Sequence, residues 1–569
     1  MLKRPDDSCV SNRLSKRYVW LIVPLLLAAV CCVLGFIINT DQWTQWFAHP
    51  ERDPIPQVTR QGAELLKIML FVATFALIVI PVGLAKFSRQ EPCTTIKKRE
   101  SGSLDLWIVT SLIVLGIIAR ATRLGESLWY DEIAAFTTYG VHEPGIIIGN
   151  LFDASNHIFH TLLSSLSVKA FEDSLGRELA LRLPALIFSL GTIVCIYCLA
   201  KISINRRAAI IAGLLMAALP VAVLEGSEAR GYSMMIFFTA LSTLLCVITR
   251  SRDKPWIWCI YAGICALGVW THFVFAFVTF GHAILLVWRA AIFQEFARAA
   301  KGIASLILAA VLTITLYAPA MPDLMNLRST FITSSTSQPS VIGIEGFHAL
   351  LQLGGSWYFW AAWPGLLVLL IGLAVFKKSA NPICREICVA SLLGLPLFVL
   401  IVLILDSWMY ARFALFCLPG AVILITLGIE HIHKRNKFIS FAALTFILVL
   451  GVSDLISRPA KQPLRDAAVF IADNQTLDGK VLVIGLAHQV LSVYTFDLDL
   501  TYSLRHGIDL EEKLNDINPQ WIILYYPNHL TKSNSELMQD RGYEIAKRFS
   551  GWVDWDNGDV LIYKKVTGP

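Results

Sequence analysis

From residue 18 to about residue 455 the chain alternates long apolar runs with short polar stretches. A membrane-crossing helix needs roughly 20 predominantly apolar residues. The first such run extends from Tyr18 to about Ile38 and the second from about Leu65 to Ala85. Further runs begin near Leu106, Leu179, Ala208, Tyr232, Trp256, Phe273, Gly302, Trp357, Ile387, Phe413 and Phe438. The pattern predicts about thirteen transmembrane helices. Tyr18–Ile38 is too long for a signal-peptide core and reads as a retained span. From Ser457 the pattern changes to alternating helix and strand: an amphipathic stretch Leu464–Ala472, apolar runs Lys480–Ile484, Trp521–Tyr525 and Val560–Tyr563, and polar helical segments such as Asp509–Asp516. That predicts a small α/β domain. The organisation is therefore a tail and extra hairpin over 1–103, an all-α membrane domain over 104–456, and an α/β domain over 457–569.

The polar stretches orient these elements. Arg206/Arg207, Arg250/Arg252/Lys254, Arg289/Arg298/Lys301, Lys377/Lys378/Arg385 and Lys434/Arg435/Lys437 all fall on one side when the span count is odd. By the positive-inside rule that side is the cytoplasm, as is the basic N-terminus. Glu126–Arg177, Glu225–Gly231, Met321–Ser356 and everything after about Leu455 then lie outside. One apolar segment is left out of the count. His157–Phe171 places Ile158, Phe159, Leu162, Leu163, Leu166 and Ala170 on one helical face. It is too short to span and reads as an amphipathic helix in the outer interface.

Composition agrees: 56% of residues are hydrophobic, 16% are charged, and mean hydropathy is +0.61. The net charge of +6 comes from short clusters between spans, which excludes a nucleic-acid binder. None of the twelve cysteines falls in the segments placed outside, so no disulfide framework is expected. Cys195 and Cys198 form a CxxC inside an apolar helix, where they read as small core residues.

Candidate chemistry gathers at the outer helix ends. Asp131 and Glu132 stand side by side in ESLWYDEIAAF. Asn156 and His157 follow, with His160 a turn on, then Arg182 before Pro184. EGSEARGY carries Glu225, Glu228, Arg230 and Tyr232; WTHF carries His272; SWMYARF carries Tyr410 and Arg412. Charges at membrane depth cost about 2.5–3.5 kcal/mol on insertion scales, so they usually face a cavity. Acids, histidines and arginines on one side suit an anionic lipid-linked substrate: guanidinium groups for a phosphate, a carboxylate for a hydroxyl proton. The bland alternatives are arginines that snorkel, histidines satisfied in the core (the reading adopted for His282), and acids that only solvate loops such as Glu225.

The ordered set SLWYDE, NHIFHTLL, RLPAL, SEARGY, WTHF and YARF with Pro419 resembles the GT-C glycosyltransferases that use polyprenyl-phosphate sugars. It is most similar to the bacterial branch related to the dolichyl-phosphate-mannose protein mannosyltransferases and the lipid A aminoarabinose transferase. The likeness covers about Leu106 to Leu455 and is weaker in the tail, where QPLRDAAVFIADN matches the opening of the outer domain. It implies a GT-C-type membrane domain in the cell inner membrane and an inverting transfer of one sugar to an extracytoplasmic glycan, lipid or protein. It also implies Asp131, with Glu132, as the essential acid. Asn156, His157, Arg182, Arg230, Tyr232, His272 and Arg412 are expected to bind substrate. Some relatives use a divalent metal, which Asp131 and Glu132 are candidates to hold; no other cofactor is implied. Ile158 stands where the family often has proline, and residues 1–103 have no counterpart in the family core. A transporter or flippase would share the span count, and a polymerase or ligase of lipid-linked glycans would share the donor lipid. The former should show repeated halves, which this sequence lacks.

Overall fold

A computed structural model describes residues 19–87, 102–326, 344–405, 410–474, 480–485, 493–494, 501–505, 510–527, 530–553 and 558–566. The N-terminal tail, most of the basic loop after Lys86 and the LRSTFITSSTSQPS stretch lie largely or wholly outside them.

All thirteen expected runs contain helix, and among the described residues ten helices are long and apolar enough to cross a membrane. The difference has a physical cause in three places. Tyr232–Ile248 and Pro255–Thr271 have 17 residues each, and the run from Arg206 is broken into Arg206–Ala218 and Pro220–Glu225. At about 1.5 Å per residue, 17 residues rise roughly 26 Å, short of the ~30 Å hydrocarbon core. The chain is a multi-pass membrane protein; among the described residues ten helices qualify as spans by length and composition, and Tyr232–Ile248 and Pro255–Thr271 are shorter apolar helices beside them.

Leu418–Arg435 is the centre of the bundle. Every residue from Leu418 to Glu430 is buried, and a helix buried on all faces belongs in a core. The outermost helices show the reverse. Val19–Ile37 exposes Val23, Leu26, Val30 and Phe36, and Lys437–Ser457 exposes Phe438, Phe441 and Ile456. Such surfaces suit lipid.

The N-terminal hairpin is built into this bundle. Asn39 and Gln42 cap the helix Thr40–Phe47 reciprocally. That helix sends Trp43 and Phe47 into a cluster with Leu66 and Leu70. Beyond it, Arg52 donates to both carboxylate oxygens of Asp323 and to Asn150 Oδ1.

The segment expected as an interfacial helix is helical over Ile158–Leu175. Its small polar face is the buried one. Ser164 and Ser167 donate to the carbonyls of Leu181 and Ala180, while Leu166 and Phe171 point outward.

The tail forms five strands: β1 Val481–Gly485, β2 Thr501–Arg505, β3 Trp521–Tyr525, β4 Tyr543–Phe549 and β5 Val560–Lys565. Their order is β2-β1-β3-β5-β4, parallel among the first three and antiparallel thereafter. β1 and β3 are buried throughout, as expected of strands covered on both faces. Leu482, Ile484, Ile522 and Leu524 pack with Leu510 and Leu514 of the helix Leu510–Ile517. Val481, Val483, Trp521 and Ile523 share a cluster with Leu464, Ile471, Leu128, Trp129 and Ile133. The sheet thus rests one face against the loop that carries Asp131.

Candidate active site

That loop is fixed before its chemistry begins. Ser103–Leu124 ends at Gly125, and a short helix Tyr130–Ala135 follows, continued by a π turn Phe136–Gly140. Glu132 lies in the first turn and is wholly buried. Its two oxygens accept from Arg182 Nε at 2.9 Å and Nη2 at 2.7 Å, and from the backbone N–H groups of Ala229 and Trp129. Arg182 uses its remaining donors on the carbonyls of Leu124, Glu126 and Ser127. The pair ties the Asp131 loop to the EGSEARGY segment. Neither residue has a group left over for a ligand.

Asp131, one residue earlier, is different. Its Oδ2 accepts from Arg412 Nη2 at 3.0 Å and lies 3.6 Å from Arg230 Nη2, and its side chain keeps 17% exposure. Arg230 also donates to the carbonyls of Asp131 and Ser155. Arg412 lies in the 3-10 stretch Ala411–Cys417 that opens the central helix, where Ala411 N–H is held by Glu345. Its guanidinium stands 4.6 Å from the Tyr410 ring centre, 5.3 Å from Trp129 and 5.6 Å from Tyr232.

His157 faces this group from the start of Ile158–Leu175. Its Nδ1 accepts the Gly231 N–H at 2.8 Å, an approach that a Cβ on residue 231 would block at 2.6 Å. Burial first, and then the Arg230 charge, push its pKa well below the usual histidine range, so the ring is neutral. With Nδ1 accepting, the ring proton sits on Nε2, 3.4 Å from Arg230 Nη2. Two donors therefore converge on one place, the arrangement that an anion needs. His272 stacks edge-on to His157 at 4.7 Å and lies 5.1 Å from Tyr232. Burial, then Arg230 and Arg412, lower His272 to about 3.

The structure thus brings Asp131, His157, Arg230, Tyr232, His272 and Arg412 together. It sets Glu132 and Arg182 apart as a clamp. Asn156 is also buried but turns to the carbonyls of Ile147 and Asn150, shaping the loop before His157. Among the described residues no group of three or more His, Cys, Asp or Glu is placed to hold a metal ion. Around Asp131 and Glu132 the donor set does not fit a divalent cation either. Glu132 is fully engaged, and Asp131 faces two guanidinium groups.

Sequence reasoning missed Lys461. It donates to Glu228 Oε2 at 2.6 Å and lies 4.1 Å above the Trp129 ring. A single lysine in RPAKQP has no periodicity or motif to announce it; only its neighbour segment QPLRDAAVF pointed to the outer domain.

Residues 158–317, which carry His160, Arg182, Arg230, Tyr232 and His272, match the family model of the dolichyl-phosphate-mannose-protein mannosyltransferases. The match covers that segment of the chain, 160 of its 569 residues. No curated protein matches the chain. Among solved structures, the chain is similar to ArnT from Cupriavidus metallidurans bound to undecaprenyl phosphate. The identity is 12% and the TM-score 0.49, over 83% of this chain and 100% of that one. It is also similar to the archaeal oligosaccharyltransferase AglB from Archaeoglobus fulgidus, in complex with an inhibitory peptide and a dolichol-phosphate. There the identity is 12% and the TM-score 0.44, over 74% of this chain and 69% of that one.

Proposed function

We propose that this protein is a membrane glycosyltransferase that moves one sugar from a polyprenyl-phosphate donor to a hydroxyl of an extracytoplasmic acceptor, with inversion. The observation that carries the reading is the Asp131 carboxylate lodged between Arg230 and Arg412. A donor phosphate binds the same two guanidinium groups, joined by the Nε2–H of His157. In doing so it takes the arginines from Asp131 and leaves the carboxylate to the acceptor. The acceptor oxygen then forms its bond to the anomeric carbon as its proton passes to Asp131. The bond from that carbon to the phosphate oxygen breaks, and polyprenyl phosphate leaves on the arginines. Glu132 and Arg182 are assigned to holding the loop.

In this reading the N-terminus is cytoplasmic, and Glu126–Arg177 and Ser457–Pro569 lie outside. The outer domain covers the acceptor side, since Lys461, Gln462 and Tyr494 all contact the loop around Asp131. The test is mass spectrometry of envelope glycans, lipids and glycoproteins from cells with and without the protein. One species lacking a single hexose or pentose is expected, restored by the wild-type chain and not by Asp131→Asn. Restoration by Asp131→Asn removes the base from the mechanism.

A further inference from the structure

Arg120 lies in the helix Ser103–Leu124, is wholly buried, and has no carboxylate among its hydrogen-bond partners. A cation inside a membrane protein usually finds an acid or a water-filled path. Arg120 instead turns both Nη nitrogens to the place where a neighbouring helix breaks, Nη1 also reaching Gly116 O of its own helix.

The hydrogen bonds of that break can be accounted for one by one. Pro220 has no N–H, so the Met216 carbonyl loses the donor four residues on. The N–H of Val221 turns away to Gly355 O, so the Ala217 carbonyl loses its donor as well. Arg120 supplies both: Nη2 donates to Met216 O at 3.2 Å and Nη1 to Ala217 O at 3.1 Å. Nη2 also reaches Ala222 O at 3.1 Å, in the helix beyond the break, and Ser189 Oγ accepts from Nε at 2.8 Å. The contact is close enough to dictate the sequence after the break. A Cβ on residue 226 would lie 2.6 Å from Arg120 Nε and 2.3 Å from Ser189 Oγ, so Gly226 belongs there. Five residues beyond the break lies Glu225, and five beyond that Arg230.

We infer that Arg120 is a positioning residue for the donor-phosphate site. By bridging the break at Pro220 it sets the segment Glu225–Tyr232, and through it Arg230, against Asp131. The inference rests on the proposal that Arg230 grips a lipid phosphate. Lysine in its place keeps the charge but cannot span the two helices with a planar fork.

The experiment uses the full chain in nanodiscs, with undecaprenyl phosphate as the probe. Binding and hydrogen exchange over residues 219–232 are measured for wild type, Arg120→Lys, Arg120→Met and Arg230→Lys. Both Arg120 variants are expected to bind about tenfold more weakly or worse, with faster exchange in that segment. The double variant Arg120→Met/Pro220→Ala returns an N–H to Met216 and should regain protection without regaining binding. Should Arg120→Met not insert, Ser189→Ala, which removes the Nε acceptor and the long hydroxyl bond to Ala222 O, carries the same test with a smaller loss. Binding within twofold of wild type in the Arg120 variants overturns the inference, as does recovery of binding in the double variant. Wild-type binding that is unchanged in Arg230→Lys instead overturns the donor-phosphate reading, and the exchange data still report whether Arg120 holds the break.

Discussion

Two carboxylates in this chain each stand between two arginines, and they are built differently. Glu386 is fully buried, and each of its oxygens accepts from a different arginine at 2.5 Å, Arg250 on one side and Arg289 on the other. Asp131 meets Arg412 and Arg230 through Oδ2, at 3.0 and 3.6 Å among the described residues, and stays partly exposed. One triad is closed, with each oxygen held by its own arginine; the other is loose on the carboxylate side, and neutral histidines stand beside its arginines. Equal residue content therefore does not mark a site. What marks it is pairing that a ligand can replace at small cost, because desolvation is incomplete and the bonds are long.

The largest effect should come from the loose triad. Asp131→Asn is expected to slow sugar transfer by about 10²–10⁴-fold, while the purified variant unfolds like wild type and still binds undecaprenyl phosphate. Glu386→Gln should do the opposite. Removing one member of a buried pair costs about 3–5 kcal/mol, so thermal unfolding should drop sharply, with transfer per folded molecule kept. Glu132→Gln should follow Glu386→Gln; if it behaves like Asp131→Asn, the clamp assignment is wrong. Next in size, Arg230→Lys should weaken undecaprenyl-phosphate binding about tenfold, since one charge-assisted bond of ~1.5–3 kcal/mol is lost. Unchanged binding would return Arg230 to a structural role.

Glu126 is an intermediate case, with one arginine, Arg123, at 2.8 Å. Burial outweighs that arginine and pushes its carboxyl up to about 7. The folded chain thus keeps a proton that the unfolded chain releases near 4.5. The stability this brings is complete below about 4.5 and lost as pH rises through about 7. Glu126→Gln should remove that pH dependence, so wild type should lose ground to the variant between pH 5 and 8 in a denaturation series; parallel curves would refute it. The smallest effect is expected at Lys532, whose side chain is 92% exposed. Lys532→Cys in a cysteine-free background should change stability by less than about 0.5 kcal/mol and react with an impermeant reagent from outside. Reaction from the cytoplasmic side alone would invert the topology and remove the outer site.

Much of this was legible because it is periodic. Runs of apolar residues gave the helices, and all-apolar runs at Lys480, Trp521 and Val560 gave three strands. The two missed strands lack that signal: β4, YEIAKRF, is an exposed, polar edge, and Thr501–Arg505 reads as an ordinary polar stretch. Arg206–Glu225, one of the thirteen expected runs, falls short of the length of a span because hydropathy does not register the proline that breaks it. At the site, six of the nine proposed residues converge. Glu132 could not be told from Asp131, because adjacent positions on a helix face different ways and only the partner, Arg182, decides. Arg120 carried no signal of its own, since its partners are four backbone carbonyls and one serine hydroxyl.

Lys461, Gln462 and Arg465 grip the loop around Trp129 from the far side of the chain: onto Glu228, the Tyr130 N–H, Ser127 and the Gly125 carbonyl. Arg123 answers by holding the carbonyls of Leu455, Arg458 and Pro459. The C-terminal domain is therefore no detachable module. A graft that exchanges it for another must bring residues 123–132 with it, and natural drift at Trp129 is answerable to position 461. In this protein the C-terminal domain and the loop around Asp131 are inherited together.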